Sequence, residues 1–150
     1  MGLLSAIDIC ASGMSAQRMR MNVIANNIAN VNTTRTETGG PYRRQVVVME
    51  PKGREFRYYL PPFTNGGEVP KDQIGSGVRI VSVEDDQSPL VMKYDPSHPD
   101  ANAEGYVAMP NVNVVMEMVD MVDATRAYEA NVSVVESAKS MAMRSLSILA

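Results

Sequence analysis

NVNVVMEMVDMVDATRAYEANVSVVESAKSMAMRSLSILA, residues 111–150, decides the fold. Taken in steps of three and four it places Met118, Met121, Thr125, Tyr128, Val132, Val135, Lys139, Ala142, Leu146 and Leu149 on one side. That is a heptad-type seam, interrupted at Thr125 and Lys139. Residues 114–150 contain neither Gly nor Pro, so nothing in them breaks a helix. Glu117, Asp120 and Asp123 come early and Lys139 and Arg144 late, the order a helix macrodipole favours. Asn111 or Asn113 is the candidate N-cap, with Pro110 just outside. A helix of about 38 residues measures about 57 Å. A domain of this size cannot wrap a core around such a rod, so its seam must find partners elsewhere in the chain or in other copies.

The opposite end of the chain carries a matching stripe: Leu4, Ile7, Ala11, Met14, Arg18, Met21, Ala25 and Ile28. Leu3, Cys10, Ile24 and Val31 widen it, and a helix over residues 3–30 of roughly 42 Å follows. Gly13 is its soft spot, at a cost of about 1 kcal/mol relative to Ala. Asn22, Asn26 and Asn30 recur every four residues beside the stripe. Asn is a poor helix former because its amide competes for backbone hydrogen bonds. Two readings stand: amides that fix register in a partly buried interface, or a solvated face fraying into the turn at Asn30-Val31-Asn32-Thr33-Thr34.

Between the helices the pattern changes to strands and turns. Residues 45–50 (QVVVME), 56–60 (FRYYL) and 78–84 (VRIVSVE) are short and rich in β-branched or aromatic side chains, with 90–94 (LVMKY) a weaker fourth. Gly39-Gly40-Pro41, Pro61-Pro62, Asn65-Gly66-Gly67 and Gly75-Ser76-Gly77 supply turn chemistry. The expected fold class is α+β: long terminal helices forming a coiled-coil-like pair, with a small antiparallel β unit inserted. The helical part is residues 1–32 with 109–150, and the β-rich part is 33–108.

Composition narrows the function. A net charge of −3 argues against a nucleic-acid partner. With no Trp, 5% aromatics and 12 Met, the chain suits adaptable helical seams better than one rigid core. Cys10, the single cysteine, excludes an internal disulfide and reads as a small apolar residue. The N-terminus lacks the basic and apolar regions of a secretory signal, and no span of about 20 apolar residues is present to enter a membrane. Ala6 stands where an N-myristoylation signal needs Ser or Thr. These signals alone indicate a cytoplasmic chain.

Catalytic signatures are missing: one His, one Cys, no G-x-S-x-G and no phosphate-binding Gly loop. His98 lies between Asp95 and Asp100, but Pro96 and Pro99 hold that loop extended and no second His completes a metal set, so a structural turn is expected. No catalytic, cofactor or metal residues are expected. The basic stretch 35–57, with Arg35, Arg43, Arg44, Lys52, Arg54 and Arg57, reads either as a solvated sheet face or as a contact for an acidic neighbouring subunit.

Two segments carry a family resemblance. Ala25-Asn26-Asn27-Ile28-Ala29-Asn30-Val31-Asn32-Thr33 resembles the signature closing the N-terminal helix of bacterial flagellar rod and hook proteins. Glu117-Met118-Val119-Asp120 and Ala124-Thr125-Arg126-Ala127-Tyr128-Glu129-Ala130-Asn131-Val132 resemble its C-terminal counterpart. Gly40-Pro41-Tyr42-Arg43-Arg44-Gln45, the loop 95–102, Gly105-Tyr106-Val107 and Pro110-Asn111-Val112-Asn113 are similar to the proximal-rod branch in particular. The resemblance spans nearly the whole chain and is least diagnostic over 52–87.

It implies a non-enzymatic structural subunit of the flagellar basal body, part of the drive shaft that carries motor torque to hook and filament. It also implies export without a cleavable signal through the flagellar export apparatus, which replaces the cytoplasmic reading with a periplasmic rod. The helices would form an inner layer lining the export channel, with the β part outside. Implied partners are other copies of the chain, other proximal rod proteins, the rod–ring adaptor and the distal rod, with no nucleic acid and no membrane insertion. The expected assembly interface is Asn22, Asn26, Asn27, Asn30, Met21, Ile24, Ile28, Met118, Met121, Arg126, Tyr128, Asn131, Val132, Val135, Leu146 and Leu149. Another axial rod component and a free-standing coiled-coil adaptor are the alternatives.

Overall fold

The helices form where the apolar periodicity is longest. In the computed structural model the described residues are 3–37, 39–52 and 75–149. Their order is α1 (Leu3–Ala29), β1 (Gln45–Pro51), β2 (Val78–Asp85), β3 (Val91–Tyr94), β4 (Tyr106–Met109) and α2 (Val114–Leu149). The architecture is α+β, as the sequence indicates. The expected strand 56–60, the turns at 61–62 and 65–67, Arg54, Arg57 and the side chains of Leu4 and Leu149 lie outside the described residues.

The start of α2 and the close of α1 are written in side chains. Asn113 Oδ1 accepts from the amides of Val115 at 3.0 Å and Met116 at 3.4 Å, which makes Asn113, not Asn111, the N-cap of α2. At the close of α1, Asn30 Nδ2 donates to the Asn26 carbonyl at 2.9 Å and to Asn26 Oδ1 at 3.0 Å. Thr33 Oγ1 then donates to Asn30 Oδ1 at 3.1 Å, so amide and hydroxyl groups take over where the backbone ladder stops.

Among the described residues between the helices, the strands form two separate two-stranded sheets. β1 and β2 run antiparallel: the Asp86 amide donates to the Arg44 carbonyl at one end and the Lys52 amide to the Gly77 carbonyl at the other. Along β2, Val78, Ile80 and Ser82 are half-buried while Arg79, Val81 and Val83 are exposed, the period of two of a one-sided sheet. β3 and β4 are also antiparallel, with Val91 opposite Met109 and Tyr94 opposite Tyr106. The Tyr94 and Tyr106 rings meet edge-on at 5.3 Å. β4 is not anticipated by the sequence reading: four residues straight after a turn-rich loop offer too short an alternation. Its buried Val107 shows why it forms.

The chain divides into two compact units. The first draws on described residues within Met1–Gln17, Met49–Val81 and Ala127–Ala150, and the second on Arg18–Val48 and Ser82–Arg126. In the first, Cys10, Ala16 and Ala138 are buried, and Gly13 lies against the Asn131 amide. Ser12 Oγ donates to the Ile9 carbonyl at 2.7 Å and accepts from the Val78 amide at 3.1 Å, tying the helix to the strand. In the second, Val23, Ile24, Val107 and Ala124 are buried. There α1 and α2 run antiparallel, because Asn27 meets Glu117 while Met21 meets Thr125.

The seam that packs within the chain departs from the expected one at Met118, Lys139 and Leu146, which are exposed. Positions 121, 128, 135 and 142 are half-buried as expected, but the fully buried members are Glu117, Ala124 and Ala138. Met118, next to Glu117, and Leu146 are exposed, at 56% and 64%. On α1 Cys10 and Ile24, which widen the expected stripe, are buried, whereas Ala11 and Ala25 are exposed. Small residues such as Ala124 and Ala138 let backbones approach closely.

Candidate functional site

Polar chemistry concentrates in the second unit, around a carboxylate that the sequence reading treats as a macrodipole charge. Glu117 is 0% exposed, on the inward face of the first turns of α2. Its Oε1 accepts from Arg44 Nε at 2.6 Å and its Oε2 from Asn27 Nδ2 at 3.0 Å. Both oxygens of a buried charge are therefore satisfied, one by an opposite charge and one by an amide.

Asn27, 1% exposed, spends the rest of its amide on the segment before β1. Its Oδ1 accepts from the Gln45 amide and from Tyr42 Oη, both at 2.9 Å, and its Nδ2 also donates to the Gln45 carbonyl at 2.9 Å. The side-chain amide thus pairs with one residue's N–H and C=O as a neighbouring strand would. Arg44 is anchored at both ends. Its amide donates to Asn111 Oδ1 at 2.8 Å, and its guanidinium also faces Asp120 at 3.5 Å and Asp86 at 3.7 Å. Asp120 in turn accepts from Arg20 at 2.9 Å, which closes a chain of charges across α1, the 42–45 segment and α2.

Three groups, Arg44, Tyr42 and Asp86, are moved from their ordinary values by these surroundings. Burial by itself would lower Arg44, but the Glu117 hydrogen bond and charge, with Asp120 and Asp86, leave it raised. Burial raises the Tyr42 phenol, with the charges of Asp85 and Glu117 adding to it. Hydrogen bonds from the Ser88 hydroxyl and amide hold the Asp86 carboxyl below its usual range, with Arg44 assisting. The cluster is built to stay paired, with no open position at Glu117 for a substrate.

Arg44, one residue of the basic stretch, joins this internal network rather than lying on a solvated sheet face. Arg43 Nη1 donates to the Asp86 carbonyl at 3.4 Å, whereas Arg35 and Lys52 are exposed. In the 95–102 loop Asp95 Oδ1 accepts from Ser97, and His98 Nδ1 accepts from the Asp100 amide at 3.1 Å. That ring nitrogen is used in a turn.

The expected interface residues fall into two groups. Ile24 and Asn27 are buried, and Met21, Ile28, Asn30, Met121, Tyr128, Asn131, Val132 and Val135 are half-buried. Asn22, Asn26, Met118, Arg126 and Leu146 are exposed. Asn26 Nδ2 reaches Tyr42 Oη at 3.2 Å, joining the rim of the buried cluster. Arg20, Tyr42, Arg44, Gln45, Asp86, Asn111, Glu117 and Asp120 are cluster members absent from the expected interface. The available signal was the position of Glu117 in step with Met121, Ala124 and Tyr128.

Comparison with known proteins places this arrangement. Residues 7–35 match the family model described as flagella basal body rod protein, and residues 103–148 match that of the flagellar basal body rod FlgEFG protein C-terminal region. The two matches fall on the helices that carry Asn27 and Glu117, which puts the chain in the class of flagellar rod proteins. It is 50% identical to the flagellar basal-body rod protein FlgC of Borreliella burgdorferi, over 99% of both chains. Identity is 42% to the protein of that name in Bacillus subtilis, over 95% of each chain, and 37% to that of Salmonella typhimurium, over 99% of this chain and 98% of the relative. The chain belongs to the FlgC family of flagellar basal-body rod proteins, a family of structural parts rather than enzymes. Its location is the flagellar basal body, among other rod components.

Proposed function

We propose that the chain is a subunit of the proximal rod, assembled in the periplasm into the shaft that carries torque from the motor to hook and filament. The single observation behind this reading is the near full-length similarity to FlgC proteins. A consistent second feature is the apolar surface that α2 leaves uncovered. Val115, Met118, Val119 and Val122 follow one another at steps of three, one and three, each at least half exposed. In this reading the helices of neighbouring subunits cover that stripe, and the exposed members of the expected interface, Asn22, Asn26, Met118, Arg126 and Leu146, contribute to the same contacts.

The helical part, residues 1–32 with 109–150, then forms an inner layer around the export channel, and the β-rich part 33–108 faces outward. Neighbours are further copies, other proximal rod proteins, the rod–ring adaptor and the distal rod. Delivery is by the flagellar export apparatus without a cleavable signal. Among the described residues no helix is long and apolar enough to cross a membrane. The test is sedimentation: the chain is expected to travel with purified basal bodies and to polymerise with heterologous rod partners. A small closed oligomer of this chain alone, absent from basal bodies, would favour the adaptor reading instead.

A further inference from the structure

We propose that the Arg44–Glu117 pair is a register lock, whose task in the second unit is to fix where along α2 the α1 helix stops, rather than to add stability. Apart from the polar groups Arg20, Asn27 and Asp120, the buried or half-buried residues on the two helices of this unit include Met21, Val23, Ile24, Met121, Ala124 and Thr125, with Met21 meeting Thr125. They are small, apolar or flexible, and a methionine-lined seam accommodates more than one alignment. A slide by one heptad moves α2 about 10 Å along the axis. Such a slide would bring Ala124 or Pro110 to the place of Glu117. Apolar packing would survive much of it.

The polar cluster would not. In any slipped alignment Glu117 leaves both Arg44 Nε and Asn27 Nδ2, its two partners at 2.6 and 3.0 Å. Asp120 likewise leaves Arg20 and Arg44. A buried ion pair contributes little to folding, because desolvation offsets its attraction, but a buried charge without its partner is heavily penalised. The pair therefore separates registers by penalising wrong ones. Asn27 extends the lock to a third element: it holds the Gln45 backbone by both N–H and C=O, so the 42–45 segment that carries Arg44 is set against α1 by the same residue.

The experiment uses the full chain with Cys10→Ala and spin labels on Ala29→Cys and Asp123→Cys, both exposed positions in the second unit. Pulsed dipolar spectroscopy reads the distance between them. With Arg44 and Glu117 present, one narrow distance is expected. In the double variant Arg44→Met and Glu117→Met the expected result is a second population, displaced by about 10 Å along the helix axis. Helix content and denaturation midpoint should be retained. Glu117→Gln, which keeps an acceptor for Arg44, should retain the single distance even where its midpoint falls. One unchanged distance in the folded double variant would overturn the proposal. So would failure of the double variant to fold, since the pair would then serve stability rather than alignment.

Discussion

The two units hold their helices by different physics. In the second, α1 meets α2 through Asn27, Glu117, Arg20 and Asp120, groups that recognise one partner by charge and direction. In the first, the corresponding contact is Gly13 against Asn131, whose amide is turned back onto the Ala127 carbonyl at 2.8 Å, with Cys10, Ala16 and Ala138 buried. Directional pairing specifies an alignment and tolerates little change of chemistry. Close packing of small side chains specifies a distance and tolerates little change of volume. One helix pair thus has two kinds of fault line.

The largest expected effect comes from breaking the directional side. Glu117→Ala leaves Arg44 facing no carboxylate on α2 but Asp120, and Asn27 one acceptor short. A cost of about 3 kcal/mol is expected, at the low end for a buried pair because Arg44 is 28% exposed. Chemical denaturation of the purified subunit measures it, and a loss near zero would mean the cluster is not coupled to folding. The volume side should break less. Gly13→Val is expected to cost about 2 kcal/mol through crowding, because even a Cβ at this position would lie 3.2 Å from Asn131 Nδ2. Gly13→Ala should fall within about 1 kcal/mol of the parent, since the gain in helix propensity opposes the crowding. Equal tolerance of Val and Ala would show that the approach is not tight.

A third test separates the units by pH. The Tyr42 phenol is raised in the folded chain, so it stays protonated where the unfolded chain ionises. Its contribution is complete below the unfolded value of about 10 and is lost as pH rises through the folded value. Tyr42→Phe should cost about 1 kcal/mol at neutral pH, for the bond to Asn27, and should flatten the alkaline loss of stability. An alkaline limb unchanged by the substitution would place its origin elsewhere. The smallest effect is expected at His98→Gln, in a loop apart from both fault lines. Motility and assembly should persist, and a folded, exported but non-motile variant would reveal a role for that imidazole beyond the turn.

Period and punctuation made much of this legible. Helices over 3–29 and 114–149 follow from sustained apolar recurrence, and the asparagines at 30 and 113 mark their ends because a side-chain amide can replace the missing backbone partner. β1 and β2 follow from β-branched runs, and the rod-protein signatures are linear stretches readable without a fold. Tertiary structure decided which residue is inside at the start of α2. Met118 and Glu117 are adjacent, and hydrophobicity alone selects Met118; the chain buries Glu117 because Arg44, 73 residues away, and Asn27, 90 residues away, arrive to satisfy it. Sequence states what a side chain prefers when alone. Whether a carboxylate can be buried depends on partners that only folding brings within reach.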